Sequence, residues 1–194
     1  MKRSPSGTLG TGVFFAGLVL GLTLGACASS KTDADSSPGT TLAGAIRTAI
    51  PRAQGFTAVA AGVCEDDADF YEVAFLDHGK VKRISVDARN GSVERIGDGG
   101  VRPGSESTAE RLETLLPGAR VDLARAVELA VENASGARAI GVEVDDQDGA
   151  LVYRVTLLRD TRAQRTTIDA VTGAVLHTEA GPASAGKAAA ASAP

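Results

Sequence analysis

Leu42-Ala43-Gly44-Ala45-Ile46-Arg47-Thr48-Ala49-Ile50 returns 81 residues later (123 − 42) as Leu123-Ala124-Arg125-Ala126-Val127-Glu128-Leu129-Ala130-Val131. Ala53 and Gly55 recur as Ala134 and Gly136. Further on, Tyr71, Val73, Leu76, Arg83, Asp87, Ala88, Gly91 and Val93 recur as Tyr153, Val155, Leu158, Arg165, Asp169, Ala170, Gly173 and Val175, now 82 residues apart (153 − 71). The chain therefore states one small fold twice, with one residue inserted between the two blocks. An internal repeat constrains the fold before any other pattern, because each copy must satisfy the same architecture.

Each copy opens on a helix. Leu42, Ala45, Ile46, Ala49 and Ile50 follow i, i+3, i+4, i+7, i+8 spacing, and Leu123, Ala126, Val127, Ala130 and Val131 repeat it; that spacing gives one buried stripe. Thr41 and Asp122 precede the two helices as capping residues, since a side-chain oxygen there accepts free backbone N–H groups. Pro51 and Gly136 mark their ends. Extended runs follow. Val59, Ala61 and Val63 alternate, as do Ile140, Val142 and Val144; then come Tyr71, Val73, Phe75 and Tyr153, Val155, Leu157, and last Ile84, Val86 and Thr166, Ile168. A period of two predicts strands with one covered face. Short turns such as Asp77-His78-Gly79-Lys80 predict antiparallel neighbours. The expected fold class is α+β, two tandem units, each one helix packed on a three-stranded antiparallel meander, with room for a short fourth strand at Val93–Ile96 and Val175–Leu176.

Both units resemble the PepSY domain. The resemblance rests on Tyr71-Glu72-Val73 with Val86-Asp87-Ala88-Arg89-Asn90-Gly91-Ser92-Val93, and on Tyr153-Arg154-Val155 with Ile168-Asp169-Ala170-Val171-Thr172-Gly173-Ala174-Val175. It implies a non-catalytic binding module of the kind that restrains or chaperones peptidases, and it carries no catalytic residue over.

The N-terminus reads as an export signal. Lys2 and Arg3 precede an apolar run from about Gly12 to Gly25, too short for a confident spanning helix of roughly 20 apolar residues. Leu24-Gly25-Ala26-Cys27 resembles a bacterial lipobox, which implies lipidation at Cys27. An ordinary secretory signal or an uncleaved anchor is the competing reading. The expected organisation is a signal peptide at 1–26, a flexible tether at 27–40, the first unit at 41–96, a linker at 97–120 with a short helix at Thr108–Leu116, the second unit at 121–180, and a disordered Ala/Gly/Ser/Pro-rich tail at 181–194. Two acyl chains anchor a protein stably where one does not, so the expected location is the cell membrane or envelope, lipid-anchored and extracytoplasmic. The full chain carries a net charge of −4. Removing Lys2 and Arg3 brings it to −4 − 2 = −6, which argues against nucleic acid and against adsorption to anionic lipid.

Few residues present themselves for chemistry. Asp145, Asp146 and Asp148, beside Gly149, are candidate calcium ligands, but the set is incomplete because no Glu follows between Leu151 and Arg159. Glu65, Asp66, Asp67 and Asp69 form a similar acidic turn, and a solvated hairpin tip explains both. Asp87 and Asp169 each precede a Gly turn, where Asp accepts backbone N–H groups. His78 and His177 have no Cys or second His at ligand spacing. Only two cysteines exist; a lipidated Cys27 leaves Cys64 out of any structural disulfide, as an inert thiol out of phase with Val59, Ala61 and Val63 and therefore on the outer face. No phosphate loop or nucleophile elbow occurs. The expected function is a membrane-anchored, non-enzymatic binding module without cofactors, partnered by an extracytoplasmic peptidase or another envelope protein. The alternative is an envelope sensor of a small ligand or Ca²⁺.

Overall fold

The computed structural model describes residues 39–64, 69–101 and 105–180. Helix α1 (Leu42–Ala49) leads into a 3-10 turn at Ile50–Arg52, then strands β1 (Thr57–Val63), β2 (Phe70–Asp77), β3 (Lys80–Asp87) and β4 (Val93–Gly100). Helix α2 (Glu106–Leu115) crosses to helix α3 (Leu123–Asn133), followed by β5 (Arg138–Gln147), β6 (Ala150–Arg159), β7 (Arg162–Asp169) and β8 (Val175–Ala180). All eight strands join one antiparallel sheet in the order β4-β3-β2-β1-β5-β6-β7-β8. Each half is thus a helix followed by a four-stranded meander. The fourth strand is eight residues long in the first half and six in the second, longer than the short apolar ending that the hydrophobic pattern marks out.

The halves meet at β1 and β5, where Ala61 pairs with Val142. They run outward from this seam in mirror order, so the two copies are related by an approximate twofold relation. The expected caps form: Thr41 Oγ1 accepts the Gly44 N–H at 3.1 Å and Asp122 Oδ1 accepts the Arg125 N–H at 2.7 Å. Pro51 enters the 3-10 turn after α1, as its missing N–H and fixed φ allow.

α1 and α3 lie side by side and bury Leu42, Ala45, Ile46, Ala49 and Leu123, Ala126, Val127, Ala130. The alanines let the helix axes approach the sheet and each other, and Leu42, Ile46 and Val127 then fill the space between. Full burial of each such large aliphatic side chain contributes about 1.5–3 kcal/mol. Arg47 on α1 bridges Glu128 on α3 at 2.5 Å, and Glu128 and Glu132 both reach Arg125. These pairs are solvent-exposed, so they tune the contact more than they hold it.

Strand periodicity predicts one covered face, and β2 departs from this. Tyr71, Val73 and Phe75 are buried, and so are Glu72, Ala74 and Leu76 on the opposite face. Ala60, Ala74 and Leu76 belong to the same buried cluster as Ala109 and Leu112 of α2. α2 anchors at the hairpin tips, where Glu113 Oε1 accepts the Gly79 N–H at 2.8 Å and Arg111 pairs with Asp146. A central strand of an eight-stranded sheet has neighbours on both edges, so its second face is more sheltered than that of a peripheral strand.

Candidate binding surfaces

The two tyrosines of the repeat occupy equivalent places. Tyr71 and Tyr153 are each 3% exposed, and each hydroxyl donates to a backbone carbonyl just ahead of its unit's helix. Tyr71 reaches Thr40 O at 3.3 Å and Tyr153 reaches Val121 O at 2.5 Å. Burial, with the nearby Asp122 carboxylate, pushes the Tyr153 hydroxyl up to about 12. Each tyrosine ties the helix entry to the second strand of its meander. Tyr153→Phe is expected to cost about 1 kcal/mol, and Tyr71→Phe less because its bond is longer; urea midpoints of the two variants check the order.

Asp87 and Asp169 are turn-formers. Asp87 Oδ1 accepts the N–H groups of Arg89 and Asn90 at 2.7 and 3.2 Å. Asp169 Oδ1 accepts those of Val171 and Thr172 at 2.9 and 2.7 Å, and the Thr172 hydroxyl at 2.9 Å. Burial pushes Asp87 up, but its hydrogen bonds with Arg89 and Asn90 outweigh this and hold it below the usual carboxylate range. Asp169 is lowered by its bonds to Thr172 and Val171, against a smaller opposing effect of burial. Each of these carboxylates is occupied in closing its own turn at Gly91 or Gly173, both of which have positive φ.

The acidic hairpin does not gather a ligand set. Asp145 and Asp146 are consecutive residues of β5, so they project to opposite faces. Asp145 pairs with Arg154, whereas Asp146 pairs with Arg111 and accepts the Gly149 N–H at 2.7 Å. Asp148 sits in the tight turn at φ 54. Among the described residues no group of three or more His, Cys, Asp or Glu side chains is arranged to hold a metal ion. Of the first acidic turn, Glu65, Asp66 and Asp67 lie outside the described residues, as does Cys27.

Cys64 corrects its expectation. It is 2% exposed, not on an outer surface. Alternation does place it on the face opposite Tyr71, but there the sheet is sheltered. His78 is at the tip of the β2–β3 turn with φ 46 and lies 3.7 Å from Asp77. His177 lies on β8, where its Nε2 is 3.2 Å from Thr167 Oγ1.

A set of charges on the sheet face away from Tyr71 and Tyr153 escaped sequence reasoning. Glu72 is 4% exposed and faces Arg83 at 3.3 Å. The Glu72 Oε1 and Arg83 Nε atoms are in ion-pair range but misaligned, so neither hydrogen-bonds, and Arg165 Nε is likewise buried without a hydrogen-bond partner. Across the seam, burial raises Glu143, and Arg165 and Arg154 partly offset that rise. Strand pairing sets Glu72, Gly62, Gly141, Thr156 and Arg165 in one line across the sheet. The two glycines leave the seam without side chains between the charged flanks. The signal was present as charge in the polar phase of each strand, but that phase normally means solvent.

Comparison with known proteins adds the following. The sequence at 120–179 matches the family model described as the peptidase propeptide and YPEB domain, PepSY. No curated protein matches the chain. Among solved structures, the chain is similar to a protein of Clostridium difficile 630 that carries a lipoprotein designation, with 18% identity over 75% of this chain and 95% of that one and a TM-score of 0.47. It is also similar to the Bacillus megaterium YpeB C-terminal domain, with 14% identity over 76% of this chain and 68% of that one and a TM-score of 0.28. The matched residues are those of α3 and its meander, with Tyr153 buried beneath the helix entry and Asp169 closing the last turn. Over residues 120–179 the chain is therefore similar to the PepSY domain.

Proposed function

We propose that this protein is a lipid-anchored, extracytoplasmic binding module of two PepSY-like units that acts on a peptidase, or on another envelope protein, without catalysing a reaction itself. The observation that carries the reading is the PepSY match at 120–179, a family whose description names a peptidase propeptide. The first half supports it by repeating the same helix, meander, buried tyrosine and Asp-closed turn. Asp87 and Asp169 are engaged in their turns, and Asp145 and Asp146 in ion pairs, which agrees with this reading.

The test is to add the purified chain to several extracellular proteases and follow both their rates and their refolding. A lowered rate, or an improved yield of active enzyme, is the expected result with at least one of them. Unchanged rate and unchanged yield throughout would remove the peptidase reading.

Lipidation at Cys27 has its own test. One sulfur cannot carry both a thioether to lipid and a disulfide. Peptide mass spectrometry of protein from the cell envelope is expected to show acyl mass on the peptide that begins at Cys27. A peptide cross-linking the chain's two cysteines in that material would refute the anchor.

A further inference from the structure

The two copies close the turn after their third strand in the same way, and the first does so with a chemically reactive pair of residues. Gly91 and Gly173 both have φ 75, a conformation that favours glycine. Each donates its N–H to the backbone oxygen of the turn-forming aspartate, Gly91 to Asp87 at 2.8 Å and Gly173 to Asp169 at 2.9 Å. A Cβ on Gly91 would stand 2.9 Å from Thr40 Oγ1, so the fold excludes a side chain there. The residue ahead of each glycine supplies an oxygen to the N–H that follows it. Asn90 Oδ1 accepts from Ser92 at 2.7 Å, and Thr172 Oγ1 accepts from Ala174 at 3.3 Å. Thr172 shows that a hydroxyl meets this need. The first copy uses an amide instead, on an exposed residue, directly before a backbone nitrogen that no neighbouring Cβ shields.

We propose that Asn90 is a site of spontaneous deamidation through a cyclic imide with Gly91, and that the Asp87 turn limits its rate. The Gly91 nitrogen, its proton lost to hydroxide, attacks Asn90 Cγ. The carbonyl electron pair moves onto Oδ1 and, on returning, expels the side-chain nitrogen as ammonia. Water then opens the five-membered imide. Cleavage at Cγ leaves aspartate, and cleavage at the backbone carbonyl leaves isoaspartate, with the chain running through Cβ and Cγ. Water is consumed and ammonia released, and nothing is oxidised or reduced. Two sets of contacts act on this step in opposite directions. The Ser92 N–H lies where negative charge develops on Oδ1 and favours the attack. The Asp87 carbonyl holds the proton of the nucleophile, and Asp87 Oδ1 fixes the N–H groups of Arg89 and Asn90. Attack therefore waits for the turn to open locally, and the second effect wins. The isoaspartate product lengthens the connection between β3 and β4 and displaces the oxygen that Ser92 uses, so it loosens an edge strand of the sheet. The turn before β8 is spared, because Thr172 has no amide to lose.

The experiment incubates the purified chain in mildly alkaline buffer, folded and in urea, and follows the Asn90 peptide by mass spectrometry and by isoaspartate assay. Asn133, the other asparagine of the chain, is the internal reference. Asn90 is expected to convert in the folded protein, with isoaspartate among the products, while Asn133 stays intact. Asp87→Ala is expected to speed the conversion at least about fivefold, the factor that one ordinary hydrogen bond commands, and urea to speed it further. Asp87→Asn keeps an oxygen acceptor in the turn and is expected to fall between the parent and Asp87→Ala. Thr172→Asn places the same pair in the second copy and tests the geometry even where Asp87→Ala does not fold; its turn is expected to convert as the first one does. Hydrogen exchange is expected to quicken at β4 amides of the converted fraction and to stay unchanged at β8. An Asn90 that remains intact in the folded chain while it converts in urea, a rate in urea no faster than in the folded chain, equal conversion of Asn133, or a Thr172→Asn chain that gains no second site would each overturn the proposal.

Discussion

Phe75→Ala is expected to lower stability by about 3–5 kcal/mol and to weaken both halves of the protein together. Phe75 is fully buried on the second strand of the first meander. It belongs to one hydrophobic cluster that also holds Leu42 and Ile46 of α1, Val127 of α3, and Tyr153, Val155 and Leu157 of β6. The halves share a continuous backbone ladder through β1 and β5 and a helix layer in which α1 touches α3. A unit of about 55 residues buries too little surface to be robust alone, so the cavity left by the ring is felt across the joint. The measurement is a urea titration followed by native-state hydrogen exchange. One transition is expected, with amides of β6 losing protection in step with those of β2. Retained protection in β6 and β7 while β2 exchanges would show that the halves unfold separately.

Arg83→Met is the second large effect. It leaves Glu72 buried without its nearest counter-charge, and breaking a buried pair from one side costs about 3–5 kcal/mol. The lower end is expected here, because Arg83 keeps 28% side-chain exposure and Arg95 also bears on Glu72. Burial raises the Glu72 pKa from its ordinary value, and Arg83 and Arg95 partly offset that rise. Without Arg83 the rise grows. The sign follows: a carboxyl whose folded pKa lies above its unfolded value favours the fold below the unfolded pKa and loses that advantage as pH rises through the folded pKa. The variant is therefore expected to be more stable at pH 5 than at pH 7, relative to the parent at each pH. Asp87 and Asp169 act in the opposite sense, because their lowered pKa values make their contribution fall away only below about pH 4. The double substitution Glu72→Leu with Arg83→Met is expected to recover most of the loss, as apolar replacement of a buried pair often does. A single variant as destabilised at pH 5 as at pH 7, or a double variant no better than the single, would contradict the account.

Local features of the chain were open to reading because they depend on near neighbours. A cap needs Thr41 or Asp122 and three following residues, a helix stripe needs Leu42 to Ala49, and a turn needs Asp169 and the five residues after it. These are settled within one segment, so residue type and spacing suffice. Asp145 and Asp146 read in the sequence as part of an incomplete calcium-ligand set or a solvated hairpin tip, and their partners Arg154 and Arg111 were not legible there. The sheltering of Cys64, Glu72 and Ala74 was not. Their phase reads as outward, and only neighbours distant in sequence reverse that.

Sequence by itself determined the duplication, the helix-then-meander order of each copy, the buried pair Tyr71 and Tyr153, and the likeness to PepSY that residues 120–179 bear out. Tertiary structure decided that the copies fuse edge to edge through β1 and β5 instead of stacking, and that Glu72 is buried beside Arg83 on the sheet face away from the tyrosines. The reason is physical. Periodicity records which side chains avoid water, but pairing between Ala61 and Val142 joins residues 81 positions apart, and backbone hydrogen bonds across such a seam are blind to side-chain type.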